Sequence, residues 1–93
     1  MIDAATIPAL PRGVRTHADR VRGMTVLLGP ERVLMIDDIG AAILSQVDGM
    51  ASIAQISSCL ATKFSAPADV IETDVMTYLS DLADKRLVEL HNG

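Results

Sequence analysis

Few side chains in this sequence could attack a substrate, titrate near neutrality or hold a metal: Cys59, His17 and His91 are the main ones. A thiol becomes a nucleophile only when a base or cation makes it a thiolate. Nothing near Cys59 would do so, and its position, one residue from Leu60 and three from Ile56, reads as a small packed thiol on a helix. The two histidines are far apart and belong to no metal-ligand or nucleophile spacing. His17 reads as an exposed strand residue and His91 as a terminal one. Carboxylates could work in pairs as acid and base, but each has a simpler role here. Asp37 and Asp38 start a helix, Asp69 and Glu72 have capping-box spacing, and Asp74, Asp81 and Asp84 fall on a solvated helix face. Gly23, Gly29 and Gly49 sit where turns or helix stops account for them, and no glycine-rich phosphate loop occurs. No catalytic residue, cofactor-binding residue or metal ligand is assigned, and the chain is expected not to be an enzyme.

What remains for such a chain is binding, and charge narrows the partner. The 93 residues carry a net charge of −4, unevenly distributed. Residues 12–32 hold Arg12, Arg15, Arg20, Arg22 and Arg32 against Asp19 and Glu31, a net +3, whereas residues 33–93 have three basic and nine acidic side chains, a net −6. A nucleic-acid partner would have only the N-terminal basic segment to grip, so none is expected. No apolar run is long enough to span a bilayer, and the N-terminus lacks a basic stretch followed by an apolar one. No membrane partner is expected either. One cysteine excludes an internal disulfide framework and suits a reducing compartment, read here as the cytoplasm.

The elements that must position a binding surface follow from hydrophobic period. With 49% hydrophobic residues and only Tyr78 and Phe64 as aromatics, the core must be aliphatic. Residues 1–11 contain Pro8 and Pro11 without periodicity and read as a flexible N-terminal arm lying on a single domain over residues 12–93. Val14 to His17 alternates, Ala18 to Gly23 is a polar turn, and Met24 to Leu28 is an apolar run, the pattern of a β-hairpin. Gly29-Pro30-Glu31 turns the chain again into Arg32 to Ile36, a third strand. Helices come next. The first starts at Asp37-Asp38, turns Ile39, Ile43 and Val47 to one side and stops at Asp48-Gly49. The second opens on the capping-box pair Ser52 and Gln55, buries Ile53, Ile56, Leu60 and Phe64, and ends near Ser65 before Pro67. The third runs from Ala68 or Asp69 to Lys85-Arg86, and Leu87 to Leu90 suits a short final strand. The fold class is α+β, a three-stranded antiparallel sheet followed by three helices.

Two features of this arrangement suit a binding surface. Ile71, Val75, Tyr78 and Leu82 already form a narrow core face on the third helix, yet Met76, Leu79 and Ala83 widen the apolar stripe on one flank and Val70 on the other. This is either a broad core contact or a groove wall. The third strand is an edge if the strand order is sequential, with only Arg32 as a charged deterrent to pairing with another chain.

The string Pro11-Arg12-Gly13-Val14-Arg15, then Val26-Leu27-Leu28-Gly29-Pro30-Glu31-Arg32-Val33-Leu34, then Ile43-Leu44 with Asp48-Gly49, resembles the PqqD family. The resemblance continues through Ile53-Ala54-Gln55-Ile56 with Leu60 and Phe64, and Glu72-Thr73-Asp74-Val75 with Leu79, Leu82 and Lys85-Arg86-Leu87, so it covers most of residues 11–90. One position departs: Met24-Thr25 stands where family members often have a tryptophan.

The resemblance implies a winged-helix-like peptide-binding domain in pyrroloquinoline quinone biosynthesis, a non-catalytic chaperone that binds the precursor peptide PqqA and presents it to the radical-SAM enzyme PqqE. It also implies that the peptide adds as a strand beside the third strand while packing on the third helix. Strand addition supplies main-chain hydrogen bonds, and side-chain pockets set the register. The expected groove is Leu34 and Ile36, or their alternates Val33 and Met35, together with Val75, Met76, Leu79 and Ala83. The competing readings are a winged-helix nucleic-acid binder with the arginine-rich hairpin as its wing, and a structural domain of a larger biosynthetic enzyme.

Overall fold

In the computed structural model, which describes residues 2–91, the basic hairpin and the apolar strand after it form a three-stranded antiparallel sheet. Its strands are β2 (Arg15–Asp19), β3 (Met24–Leu28) and β4 (Val33–Ile36), in the order β2-β3-β4. The β2–β3 turn is tighter than the sequence suggests. Asp19 ends the strand and its Oδ1 accepts from the N–H groups of Val21 (3.1 Å) and Arg22 (3.2 Å), while Gly23 takes a φ of 66° that a β-carbon would resist. At the β3–β4 turn the Gly29 N–H donates to the Arg32 carbonyl at 2.9 Å. The register is Leu27 opposite Leu34 and Val26 opposite Met35.

Three helices follow: α1 (Asp38–Ser45), α2 (Ile53–Phe64) and α3 (Ala68–Asp84). Asp37 caps α1 through its Oδ1, which accepts from the Gly40 N–H at 2.7 Å. The capping box of α2 is complete, with Ser52 Oγ accepting from the Gln55 N–H (3.2 Å) and Gln55 Oε1 from the Ser52 N–H (2.8 Å). α3 starts differently from expectation. Pro67 is its N-cap with no side-chain cap bond, so Asp69 acts only as a first-turn acid facing the positive end of the helix dipole.

The core lies between the inner face of the sheet and the helices. Leu27, Ile36, Ile43, Leu44, Ile53, Ile56, Leu60, Val75, Leu79 and Leu82 are all buried in it. Each large aliphatic side chain so buried contributes about 1.5–3 kcal/mol of transfer free energy. Three side chains assigned inward by helical spacing lie outside, among them Phe64 at the end of α2, which is 47% exposed. Ile39 is 62% exposed, because α1 turns Gly40, Ile43 and Leu44 to the core and leaves its first apolar residue at the rim. Cys59 is exposed rather than packed, since α2 buries Ile56, Ser57 and Leu60 and one residue amounts to a rotation of about 100°.

Residues 7–9 also differ from the flexible arm expected. Ile7–Ala9 is a strand, β1, paired antiparallel with β5 (Glu89–His91) in a second, two-stranded sheet. Thr6 and Pro8 are buried, and the carbonyls of Ala4 and Thr6 accept from the N–H groups of Ala54 and Ile53, each at 2.9 Å. Those donors are among the first-turn amides of α2 that no carbonyl of the helix can reach. The arm is held because it supplies the acceptors.

Candidate functional site

β4 closes one side of the three-stranded sheet, and its free side is open. The Gly29–Arg32 bond sets the alternation of the β3–β4 ladder: Leu34 and Ile36 direct their main-chain groups at β3, while Val33 and Met35 direct theirs outward. The edge therefore presents two N–H donors and two carbonyl acceptors, a template for another strand. The side chains alternate as well. Ile36 is buried and Leu34 half-buried against the core, whereas Val33 and Met35 are 62% and 76% exposed on the outer face.

Beside this edge runs one flank of α3. At one end, Pro30, Glu31 and Arg32 of the β3–β4 turn and Lys85, Arg86 and Leu87 line a groove of about 310 Å³. The turn is pinned there, because a β-carbon on Gly29 would come within 2.7 Å of Leu87 Cδ2. At the other end, Tyr78 meets α1 and β4 together: a β-carbon on Gly40 would collide with the Tyr78 hydroxyl and lie 2.7 Å from Ile36 Cγ2. Lys85, Asp81 and Tyr78 recur at intervals of four and three and so share this flank. Lys85 Nζ donates to Asp81 Oδ2 at 2.6 Å. The Tyr78 phenol is held above its usual range by burial first, then by the carboxylates of Asp37 and Asp81.

The residues expected to form the helix wall are placed otherwise. Val75 and Leu79 are 1% and 0% exposed and belong to the core, so they support the site from beneath. Met76 and Ala83 are half-buried on the other flank of α3, opposite Tyr78 and Lys85 at about 100° per residue. The structure brings Val33, Leu34, Met35 and Ile36 to the edge and sets Tyr78, Asp81 and Lys85 across from them. Sequence reasoning placed Tyr78 in the core face, Asp81 on a solvated face and Lys85 at the C-terminal end of the helix. The available signal was the i, i+3, i+7 spacing of 78, 81 and 85.

The charges do not suit a nucleic-acid reader. Asp69, Asp74, Asp81 and Asp84 are all exposed along α3, where a recognition helix needs cations. Among the described residues no group of three or more His, Cys, Asp or Glu could hold a metal ion, and no helix is long and apolar enough to cross a membrane.

These features define a small winged-helix-like α+β domain in which the open β4 edge of the sheet lies beside the last helix. Residues 24–88 match the family model described as Coenzyme PQQ synthesis protein D (PqqD), and the chain belongs to that family. It is 42% identical over 90 residues to a PqqA binding protein of Rhizobium meliloti, covering 97% of this chain and 92% of that protein. It is 46% identical over 89 residues to a PqqA binding protein of Xanthomonas campestris pv. campestris, covering 96% and 97%. The fold is similar to the solution NMR structure of the PqqD truncation of Methylobacterium extorquens PqqCD, which represents a functional, stand-alone recognition element for ribosomally synthesized and post-translationally modified peptides. The TM-score is 0.85 at 40% identity, over 96% of this chain and 95% of that one.

Proposed function

We propose that this chain binds the precursor peptide PqqA by strand addition and presents it to the radical-SAM enzyme PqqE in cytoplasmic pyrroloquinoline quinone biosynthesis, without catalysing a step itself. The observation that carries this reading is the pair of outward-facing main-chain groups at Val33 and Met35, set beside the exposed flank of α3. A peptide strand paired there extends the sheet to four strands. Each new main-chain hydrogen bond contributes about 0.5–1.5 kcal/mol net. Alternate peptide side chains point down onto Tyr78, Asp81 and Lys85, which read register and charge, while the others lie beside Val33 and Met35. Val75 and Leu79 keep the floor rigid from below. The relatives named for binding PqqA support the identity of the peptide, and the exposed acids along α3 disfavour a nucleic-acid partner.

The alternation makes the test specific. Met35→Pro removes an outward N–H and leaves the β3–β4 ladder intact, which an edge strand tolerates. Leu34→Pro removes a ladder donor instead and weakens the sheet itself. In calorimetric titration with PqqA, the Met35→Pro chain is expected to stay folded and to bind about tenfold or more weakly, a loss of about 1.4 kcal/mol. A folded Met35→Pro chain with parental affinity would exclude strand addition at this edge.

A further inference from the structure

Beyond Tyr78 the same flank of α3 leads to a second concavity, unfilled by any described side chain. Ile39 and Ile43 of α1, Leu60 and Phe64 of α2, and Ile71 and Val75 of α3 enclose a pocket of about 210 Å³, with Asp74 the one charged residue in its lining. An apolar cavity of about 150 Å³ takes up benzene, so this one has room for a large aliphatic or aromatic side chain. Its mouth is apolar as well: Ile39 is 62% exposed and Phe64 47%. Large side chains of this kind left open around a concavity mark a contact surface.

The position of the pocket indicates the occupant. Lys85, Asp81, Tyr78, Asp74 and Ile71 follow one another at intervals of three and four along a single flank of α3. That flank faces Arg32 at its Lys85 end, Ile36 and Gly40 at Tyr78, and Ile39 at Asp74 and Ile71. From Tyr78 to Asp74 is about 6 Å of helix, or two residues of extended chain, and from Lys85 to Ile71 about 21 Å, or six residues. Asp37 and Asp74 border the step, so a neutral or basic peptide side chain fits there and an acidic one is repelled.

We infer that the pocket is an anchor subsite for the peptide on β4: a large apolar side chain of PqqA, a few residues beyond the strand-paired segment in the direction of Ile36, fills the space between Ile39, Phe64 and Ile71. The inference rests on the strand-addition reading. The anchor fixes which stretch of peptide pairs with the edge, something main-chain hydrogen bonds alone leave free to slip.

The test uses the full chain, synthetic PqqA and PqqE. Ile39→Asp and Phe64→Asp place a carboxylate at the pocket mouth, and each is expected to weaken PqqA binding about tenfold or more. Circular dichroism and a melting curve check the fold, and Ile39→Ala, with a smaller loss of affinity, replaces the aspartates should they unfold the chain. A panel of PqqA peptides with each large apolar residue replaced by alanine should contain one that binds the parent chain weakly and loses nothing further on the Ile39 variant. Parental affinity for PqqA in the folded pocket variants overturns the inference, as does a loss confined to PqqE binding, which would give the pocket to the enzyme. Met35→Pro separates the two claims: if it binds normally, strand addition fails, whereas if it alone binds weakly, only the anchor fails.

Discussion

Ser57 shows how much one atom can weigh in a small core. It is 1% exposed on the inner face of α2, and its Oγ has no hydrogen-bond partner among the described residues. A buried hydroxyl without a partner costs about 1–3 kcal/mol of desolvation. Ser57→Ala is therefore expected to raise the urea midpoint, with a gain of about 0.5–2 kcal/mol, and to leave peptide affinity unchanged because the residue is buried and lines neither the groove at the β3–β4 turn nor the apolar pocket. Met35 and Leu34 make the same point for function. The two neighbours have similar side chains, and the single hydrogen bond closing the Gly29–Arg32 turn decides which main chain faces a partner. Sequence alternation reveals that two sets exist. It does not reveal which set points outward, because that depends on the register of the turn.

At the scale of elements, the capping box of α2 and the Asp37 cap of α1 were legible because capping is local, written within four consecutive residues. The three-stranded order and the open β4 edge were legible because short turns force neighbours in sequence to be neighbours in space. The two flanks of α3 were not. A broad apolar stripe identifies a core-facing helix, but which neighbour lies beside which flank depends on how α1 and β4 meet Tyr78, a tertiary contact permitted by the missing side chain of Gly40. Tyr78 thus joins three elements, and its chemistry offers a probe of the junction. The neutral phenol is favoured in the fold by burial and by the carboxylates of Asp37 and Asp81. Its contribution to stability is complete below the ordinary tyrosine pKa of about 10 and is lost as pH rises through the higher value of the folded state. As the one tyrosine in the chain, it reports directly through phenolate absorbance. Its titration in the native chain is expected above that of the unfolded chain, and Tyr78→Phe should remove this part of the alkaline destabilisation.

At the scale of the molecule, charge and surface divide the labour. The basic side chains gather on the hairpin half and the acidic ones on the helical half, with the open edge between them. The arm belongs to this scale because no local signal in residues 1–11 announces its partners. β5 and the first turn of α2 are far away in sequence, and only the fold brings Ala4 and Thr6 to the amides of α2. Deleting residues 1–9 is expected to leave the Ile53 and Ala54 amides of α2 without their acceptors and β5 without a partner, and to lower unfolding free energy by about 2–4 kcal/mol in urea denaturation.

The pairing of Ile7–Ala9 with Glu89–His91 also constrains the order of assembly. It joins the two ends of the described chain, whereas the hairpins and the α2–α3 contact join near neighbours. Closing so long a loop costs more chain entropy than closing a hairpin and is repaid by few contacts, so this ribbon forms after the sheet and helices have assembled. By the same account it opens first. Native-state hydrogen exchange should find the amides of β1 and β5 exchanging through a low-energy local opening while those of α2 and α3 exchange near the global limit. The ribbon then acts as a late-closing clasp, released in a partly open state in which the rest of the core is still assembled.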